Sequence, residues 1–164
     1  MRSTSLLFLA AALSLWALPA KAELIGPAKV IAGDRLEVAG ITLRLNGIDA
    51  PEPGQICRVK DRPYDCGKVA ASALKDLTAG GPVRCLLEAE RDSGEMIAVC
   101  FAEDYDLSEG MVYTGWALAY PRAESPYRRF EEGARAARRG MWRGDFVAPW
   151  EWCAGLRLPE AEEK

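Results

Sequence analysis

The sequence predicts a mainly β, α+β fold in which a small barrel carries about three helices. Three observations lead there. Short runs of strand character come early and form a compact antiparallel set. Segments with a helical period are inserted among them or appended at the end. The 164 residues hold no internal repeat and no linker, which leaves length for one domain with a real core. Strands first, with helices inserted and appended, suit a five-stranded barrel such as an OB-fold.

Each element has its own reason. Residues 29–32 and 36–38 read as strands on either side of Gly33-Asp34. Ala39-Gly40 turns the chain into Ile41-Thr42-Leu43-Arg44-Leu45, whose alternation is that of a half-buried strand. Residues 49–54 form a loop, because Pro51, Pro53 and Gly54 break any element. Residues 67–79 form a helix with Ala70, Ala73, Leu74 and Leu77 on one face, and Gly80-Gly81-Pro82 stops it. Residues 83–87 and 96–100 pair as a hairpin about a two-residue turn at Asp92-Ser93. Asp106 caps a short helix through Tyr113. Ser125-Pro126 opens a last helix, with Pro at its first position and Gly140 just past its end. Tyr127, Phe130, Ala134 and Ala137 give that helix its apolar stripe.

Composition excludes whole classes of chemistry. There is no His, so Ser-His-Asp catalysis, His-ligated zinc and imidazole bases are absent, and an acid–base catalyst here is a carboxylate. A formal charge of −3 argues against coating nucleic acid by bulk charge. An apolar fraction of 49% argues against disorder.

Residues 1–22 have the order of a signal peptide: Arg2, an apolar stretch from Leu6 to Leu18, then Ala20-Lys21-Ala22 as a small-x-small cleavage site. The apolar stretch is short for a membrane span. Removing it leaves a domain over 23–157, a charged tail over 158–164, and 19 basic against 24 acidic residues, a charge of −5. The expected location is secreted or periplasmic, with no stable membrane insertion after cleavage. Export favours paired cysteines. A two-residue turn at Asp92-Ser93 sets Cys85 opposite Cys100, within reach of a disulfide. Cys57 and Cys66 then close a short loop rich in charge and proline. Cys153 is left over, either free or paired with a disulfide-linked partner.

Three segments carry possible chemistry: Gly33-Asp34, Arg44, and Asp49-Ala50-Pro51-Glu52. If the strands bearing them are neighbours, Asp34 and Asp49 converge, and oxygen ligands without His or Cys suit a hard cation such as Ca²⁺. Glu52 then stands just outside that centre, placed to activate a water, and Arg44 offers forked donors to a phosphate. The same residues also read as a turn Asp, a capping Asp and a surface Arg–Glu pair.

Val30-Ile31-Ala32-Gly33-Asp34 followed by Leu43-Arg44-Leu45-Asn46-Gly47-Ile48-Asp49-Ala50-Pro51-Glu52 resembles the staphylococcal nuclease-like (thermonuclease) family. The resemblance continues through Cys66-Gly67-Lys68-Val69-Ala70, Gly115-Trp116-Ala117 and residues 131–142, and covers about residues 28–152. It implies an OB barrel with three helices and a Ca²⁺-dependent phosphodiesterase acting on DNA or RNA. It implies that Asp34, Asp49 and the Ala50 carbonyl bind calcium. By the same resemblance Glu52 is the general base, Arg44 holds the phosphate, and Tyr120 contacts the nucleotide.

The sequence departs from that pattern at one telling place. The family carries a second essential arginine in the hairpin turn, but here the turn reads Arg91-Asp92-Ser93-Gly94-Glu95, and Glu95 stands at the arginine's position. Such arginines contribute ~10³–10⁵ in rate, and Arg91 is the candidate substitute. The expected register also sets Glu90 opposite Glu95. Ala32 stands where the family often has another Asp near the metal. Two readings follow: an exported calcium nuclease of weakened activity, or a catalytically lapsed OB-fold binding module of the envelope or extracellular space. Residues 122–143 add seven Arg against three Glu, a local +4, read as a solvated helix face. Trp142, Trp150 and Trp152 are expected to pin the C-terminal segment rather than stack on bases.

Overall fold

The computed structural model describes residues 22–91, 94–121 and 124–159. All but the last residue of the expected signal segment, the turn residues Asp92 and Ser93, and most of the charged tail lie outside them. The strands are β1 (Glu23–Gly26), β2 (Lys29–Ala32), β3 (Arg35–Val38), β4 (Ile41–Leu45), β5 (Ile48–Asp49), β6 (Ile56–Val59), β7 (Arg62–Asp65), β8 (Val83–Glu90), β9 (Met96–Ala102), β10 (Tyr105–Asp106) and β11 (Leu118–Ala119). The helices are α1 (Cys66–Thr78), α2 (Leu107–Tyr113), α3 (Arg128–Ala136) and α4 (Pro149–Cys153), with a 3-10 turn over Gly140–Arg143.

The main sheet runs β1-β8-β9-β4-β3-β2. Its two ends belong to one stretch of chain. β1 pairs with β8, β2 pairs with β3, and only Pro27 and Ala28 separate β1 from β2. The sheet therefore curls back on itself as a barrel of five staves, the expected OB architecture. One pairing differs from the all-antiparallel expectation: β4 and β9 run parallel. The barrel interior is filled by alternate residues, Leu36, Val38, Leu43, Leu45, Val83 and Ala98 among them. Ala70 and Leu74 of α1 and Met111 and Val112 of α2 close it.

Both expected disulfides are present, Cys85–Cys100 across β8 and β9 and Cys57–Cys66 across the base of the β6–β7 hairpin. Cys85 faces Cys100 in register, but Glu90 faces Met96 and not Glu95. A bulge between Leu87 and Ala89 shifts the register by one residue, which no local propensity announces.

The ends of the chain differ most from expectation. The last long helix begins at Arg128, after Ser125 and Pro126, because Ser125 is engaged elsewhere. The Ser125 hydroxyl donates to the Gly47 carbonyl (2.6 Å) and accepts from the Tyr127 amide (3.2 Å). Tyr127 then donates from its hydroxyl to Asp106 (2.7 Å), whose other oxygen caps α2. Ala137 is exposed, and Arg138 leaves the helix with φ 52°. The sequence reading missed the β6–β7 hairpin, β1 and α4. A second apolar cluster gathers Cys57, Cys66, Leu118 and Met141 with Trp116, Trp142, Phe146 and Trp150. Trp142 and Trp150 thus pin the C-terminal segment, as expected.

Replacing Cys85 and Cys100 together by Ser removes a bridge spanning 15 residues. Urea unfolding should register a loss of about 3 kcal/mol, the order expected for a loop of that length.

Candidate active site

The barrel brings the expected residues together at one end. Asp34 sits in the turn between β2 and β3, Arg44 on β4, and Asp49 at the end of β5. The β3–β4 pairing sets Arg35 opposite Arg44. The Leu45 amide donates to the Asp34 carbonyl (2.8 Å), which ties the turn to β4. Glycine makes the approach possible: a Cβ on Gly33 would lie 2.7 Å from Ala70 of α1 and 2.8 Å from Ala50. Asp34 and Asp49 are buried, at 1% and 4% exposure.

One nitrogen of Arg44 holds both aspartates. Its Nη2 lies 2.8 Å from Asp34 Oδ2 and makes a short hydrogen bond to Asp49 Oδ1. Asp34 Oδ2 is buried and makes no properly directed hydrogen bond. Burial pushes the Asp49 carboxyl up to about 7, against the pull of Arg44 and with the help of the Asp34 and Glu52 charges. Burial raises Asp34 as well. Two crowded, desolvated carboxylates with an unsatisfied oxygen are a donor set that fits a hard cation. Ala50 is buried beside them. Among the described residues no group of three or more His, Cys, Asp or Glu side chains gathers as a metal cluster, so any cation centre would rest on two carboxylates, backbone and water.

Glu52 is placed by the loop and by α1. Its amide donates to the Gln55 side chain (3.1 Å), its carbonyl accepts from the Gln55 amide (2.9 Å), and fully buried Gln55 donates to Val147 (2.8 Å). Gly67 in the first turn of α1 lies against this carbonyl; a Cβ there would be 2.0 Å from it. Both Glu52 oxygens are gripped by Arg35 Nη2, at 2.9 and 3.0 Å. Sequence reasoning missed Arg35. Its signal was an Arg directly after Gly33-Asp34, at the head of β3.

Glu95 is surrounded by guanidinium groups: Arg91 at 3.5 Å, Arg35 at 3.7 Å and Arg44 at 3.9 Å. The acidic substitution is therefore neutralised on the spot. Asp34, Asp49, Glu52 and Glu95 face Arg35, Arg44 and Arg91, leaving one negative charge in excess when all are ionised. Tyr120 is joined to the site by the backbone. Its amide donates to Gly47 (3.0 Å), its ring stacks on Trp150 with centroids 5.0 Å apart, and it lines one cleft with Arg44 and Arg91. Cys153 is free and exposed, 3.8 Å from Glu52. Burial and the Glu52 and Asp49 charges push its thiol up, so it is held protonated.

An OB barrel with buried carboxylates and arginines meeting at one end defines a domain suited to phosphate chemistry. The family comparison makes this specific. Residues 42–144 match the family model described as staphylococcal nuclease homologue, and the chain belongs to that family. The match contains Arg44, Asp49, Glu52, Glu95 and Tyr120; Asp34 and Arg35 precede it and join the site through the fold. The chain is 35% identical over 124 residues to the succinoglycan biosynthesis protein ExoI of Rhizobium meliloti, covering 73% of this chain and 65% of that protein. It is 30% identical over 113 residues to the probable staphylococcal-like nuclease CAN2 of Oryza sativa, covering 67% of this chain and 28% of that protein. The chain thus spans less than two thirds of the length of either relative.

Two outcomes follow from this geometry. In chelator, Asp49 is easier to ionise in the unfolded chain than in the fold, so stability should fall as pH rises from about 4 to about 7 and level off above that. Thermal unfolding at pH 5 and pH 8 measures this, and Asp49→Asn should flatten the difference. Gly67→Ala drives a methyl group into the Glu52 carbonyl and should cost about 1–3 kcal/mol by urea unfolding.

Proposed function

We propose that this chain is an exported, calcium-dependent phosphodiesterase that hydrolyses DNA or RNA. The observation that carries this reading is the meeting of Asp34, Arg44, Asp49 and Glu52 at one end of a barrel whose family is that of the nuclease homologues. Asp34, Asp49 and the Ala50 carbonyl would hold calcium, which supplies Lewis acidity toward a phosphate oxygen. Glu52 takes the proton of the attacking water. Arg44 binds the phosphate and offsets its developing charge. Tyr120 contacts the nucleotide from the far side of the cleft.

Arg35 gives this reading a second cation beside Glu95, in addition to Arg91 of the hairpin turn. It contacts both Glu52 and Glu95, which supports a role for it as the second phosphate-binding arginine. At rest it orients Glu52, and with a phosphate present one of its forked donors turns to the substrate. Export agrees with the 1–22 segment and with two disulfides. A disulfide-linked partner at Cys153 would show as dimers lost on reduction and in Cys153→Ser.

Glu95 favours a second reading, a lapsed binding module in which the three arginines only neutralise carboxylates. Cleavage of single-stranded DNA and RNA, with calcium and with chelator, separates the two. On the enzyme reading Glu52→Gln abolishes calcium-dependent cleavage while the melting temperature holds, and Arg35→Ala lowers kcat by ~10³ or more. Full activity in Glu52→Gln overturns its role. No cleavage by folded protein supports the binding module. A larger loss in Arg91→Ala than in Arg35→Ala moves the second cation to the hairpin turn.

A further inference from the structure

The cleft leaves unused the arginines and aromatic rings on the side where the β6–β7 hairpin meets the C-terminal segment. Two backbone hydrogen bonds fasten Arg58 to Asp145 (2.9 and 2.8 Å), and a Cβ on Gly144 would lie 2.0 Å from the Arg58 carbonyl. This docking leaves an open groove along the seam. One hollow there is lined by Arg58, Arg135, Arg138 and Trp142, and a second by Lys60, Arg62, Tyr64 and Arg143.

The groove is basic in a chain that is acidic. Six cations line it, against Asp61 and Asp145 nearby, a local +4 where the whole chain carries −3. Arg58 alone has a carboxylate partner, Asp145 at 3.7 Å. Among the described residues, Lys60, Arg62, Arg135, Arg138 and Arg143 have no carboxylate within 4.0 Å. Among the described residues such clustering carries a self-repulsion that an anion would relieve. Three donors at the groove, Arg58 Nε, Tyr64 Oη and Trp142 Nε1, are buried without a hydrogen-bond partner. Buried donors rarely stay unpaired. Arg135 lies over the Trp142 ring at 5.5 Å, and Phe146 meets that ring edge-on at 5.0 Å. Cations spread along an open surface match a flexible polyanion better than a rigid duplex or an acidic protein face.

We propose that this groove is a second, non-catalytic site for single-stranded nucleic acid. The choice of polymer rests on the function proposed above; the choice of a polyanion rests on the groove alone. The site would raise the affinity for long strands without touching the chemistry at Glu52.

The test is fluorescence anisotropy of a fluorescein-labelled oligothymidylate of about 12 nucleotides, titrated with the full chain in chelator, where cleavage is off; the length matches the several-nucleotide sites of OB-fold binders. The exposed triple variant Arg62→Ala, Arg135→Ala, Arg138→Ala should weaken binding at least tenfold and reduce the salt slope by about 2, three phosphate contacts' worth. Its circular dichroism and melting temperature should match the parent chain. With calcium, the variant should show a raised KM on long strands and unchanged kcat/KM on a dinucleotide. Unchanged affinity and salt slope overturn the proposal, as does failure of the parent chain to bind the oligonucleotide. Retained oligonucleotide binding with lost binding of a carboxylated polysaccharide overturns the polymer class. Binding in chelator with no cleavage in calcium would leave this site standing and sink the catalytic reading instead.

Discussion

Asp34 and Asp49 are both withdrawn from water, and two such carboxylates do not share a cavity without a cation between them. Arg44 supplies it through a single nitrogen. That requirement organises what surrounds it. The β2–β3 turn must come close to β5, so Gly33 has no side chain to keep Ala50 and α1 away. β4 must carry Arg44 between the two acids, and the barrel's curl brings the turn and the strand end to the same rim. Glu52 and Glu95 add negative charge at the edge, and Arg35 and Arg91 answer it. Removing one guanidinium leaves a buried or half-buried acid uncompensated, so these residues stand or fall as a set.

Within that set the charges depart from the family pattern at the hairpin turn. A glutamate stands in the hairpin turn where the pattern has an arginine, and an arginine stands at the head of β3. The two side chains touch, at 3.7 Å. Charge is a property of the cleft rather than of a sequence position, so a change at one residue is read with its neighbours. Glu95 thus lies against guanidinium groups from three separate points of the chain.

Much of this was legible in the chain itself. Alternation gave β3 and β4, the Asp106 cap gave α2, and the spacing of Cys85 and Cys100 gave their bridge. The carboxylates and Arg44 stood out by residue type, but their spacing alone also read as turn, cap and surface pair; the Asp-x-Pro-Glu loop at its distance from Gly33-Asp34 is what carried the resemblance. What escaped lacked a local signal. Arg35 looks like any polar residue beginning a strand, and only the β3–β4 pairing reveals what it faces. The bulge near Glu88 is set by how β8 wraps the barrel. The β6–β7 hairpin was hidden by Pro63 and by charge, which read as loop until the disulfide and the Arg58–Asp145 backbone bonds hold it flat.

The hairpin has a consequence for when the molecule becomes competent. Gln55, which holds the Glu52 loop, accepts the Cys66 amide at 3.0 Å, and Cys66 is bonded to Cys57 two residues beyond Gln55. The support beneath the proposed base is thus knotted by a bond that thiol-reducing surroundings do not maintain. That bond ties the start of α1 to the strand that leads out of the Glu52 loop, so the loop has a covalent footing on one side.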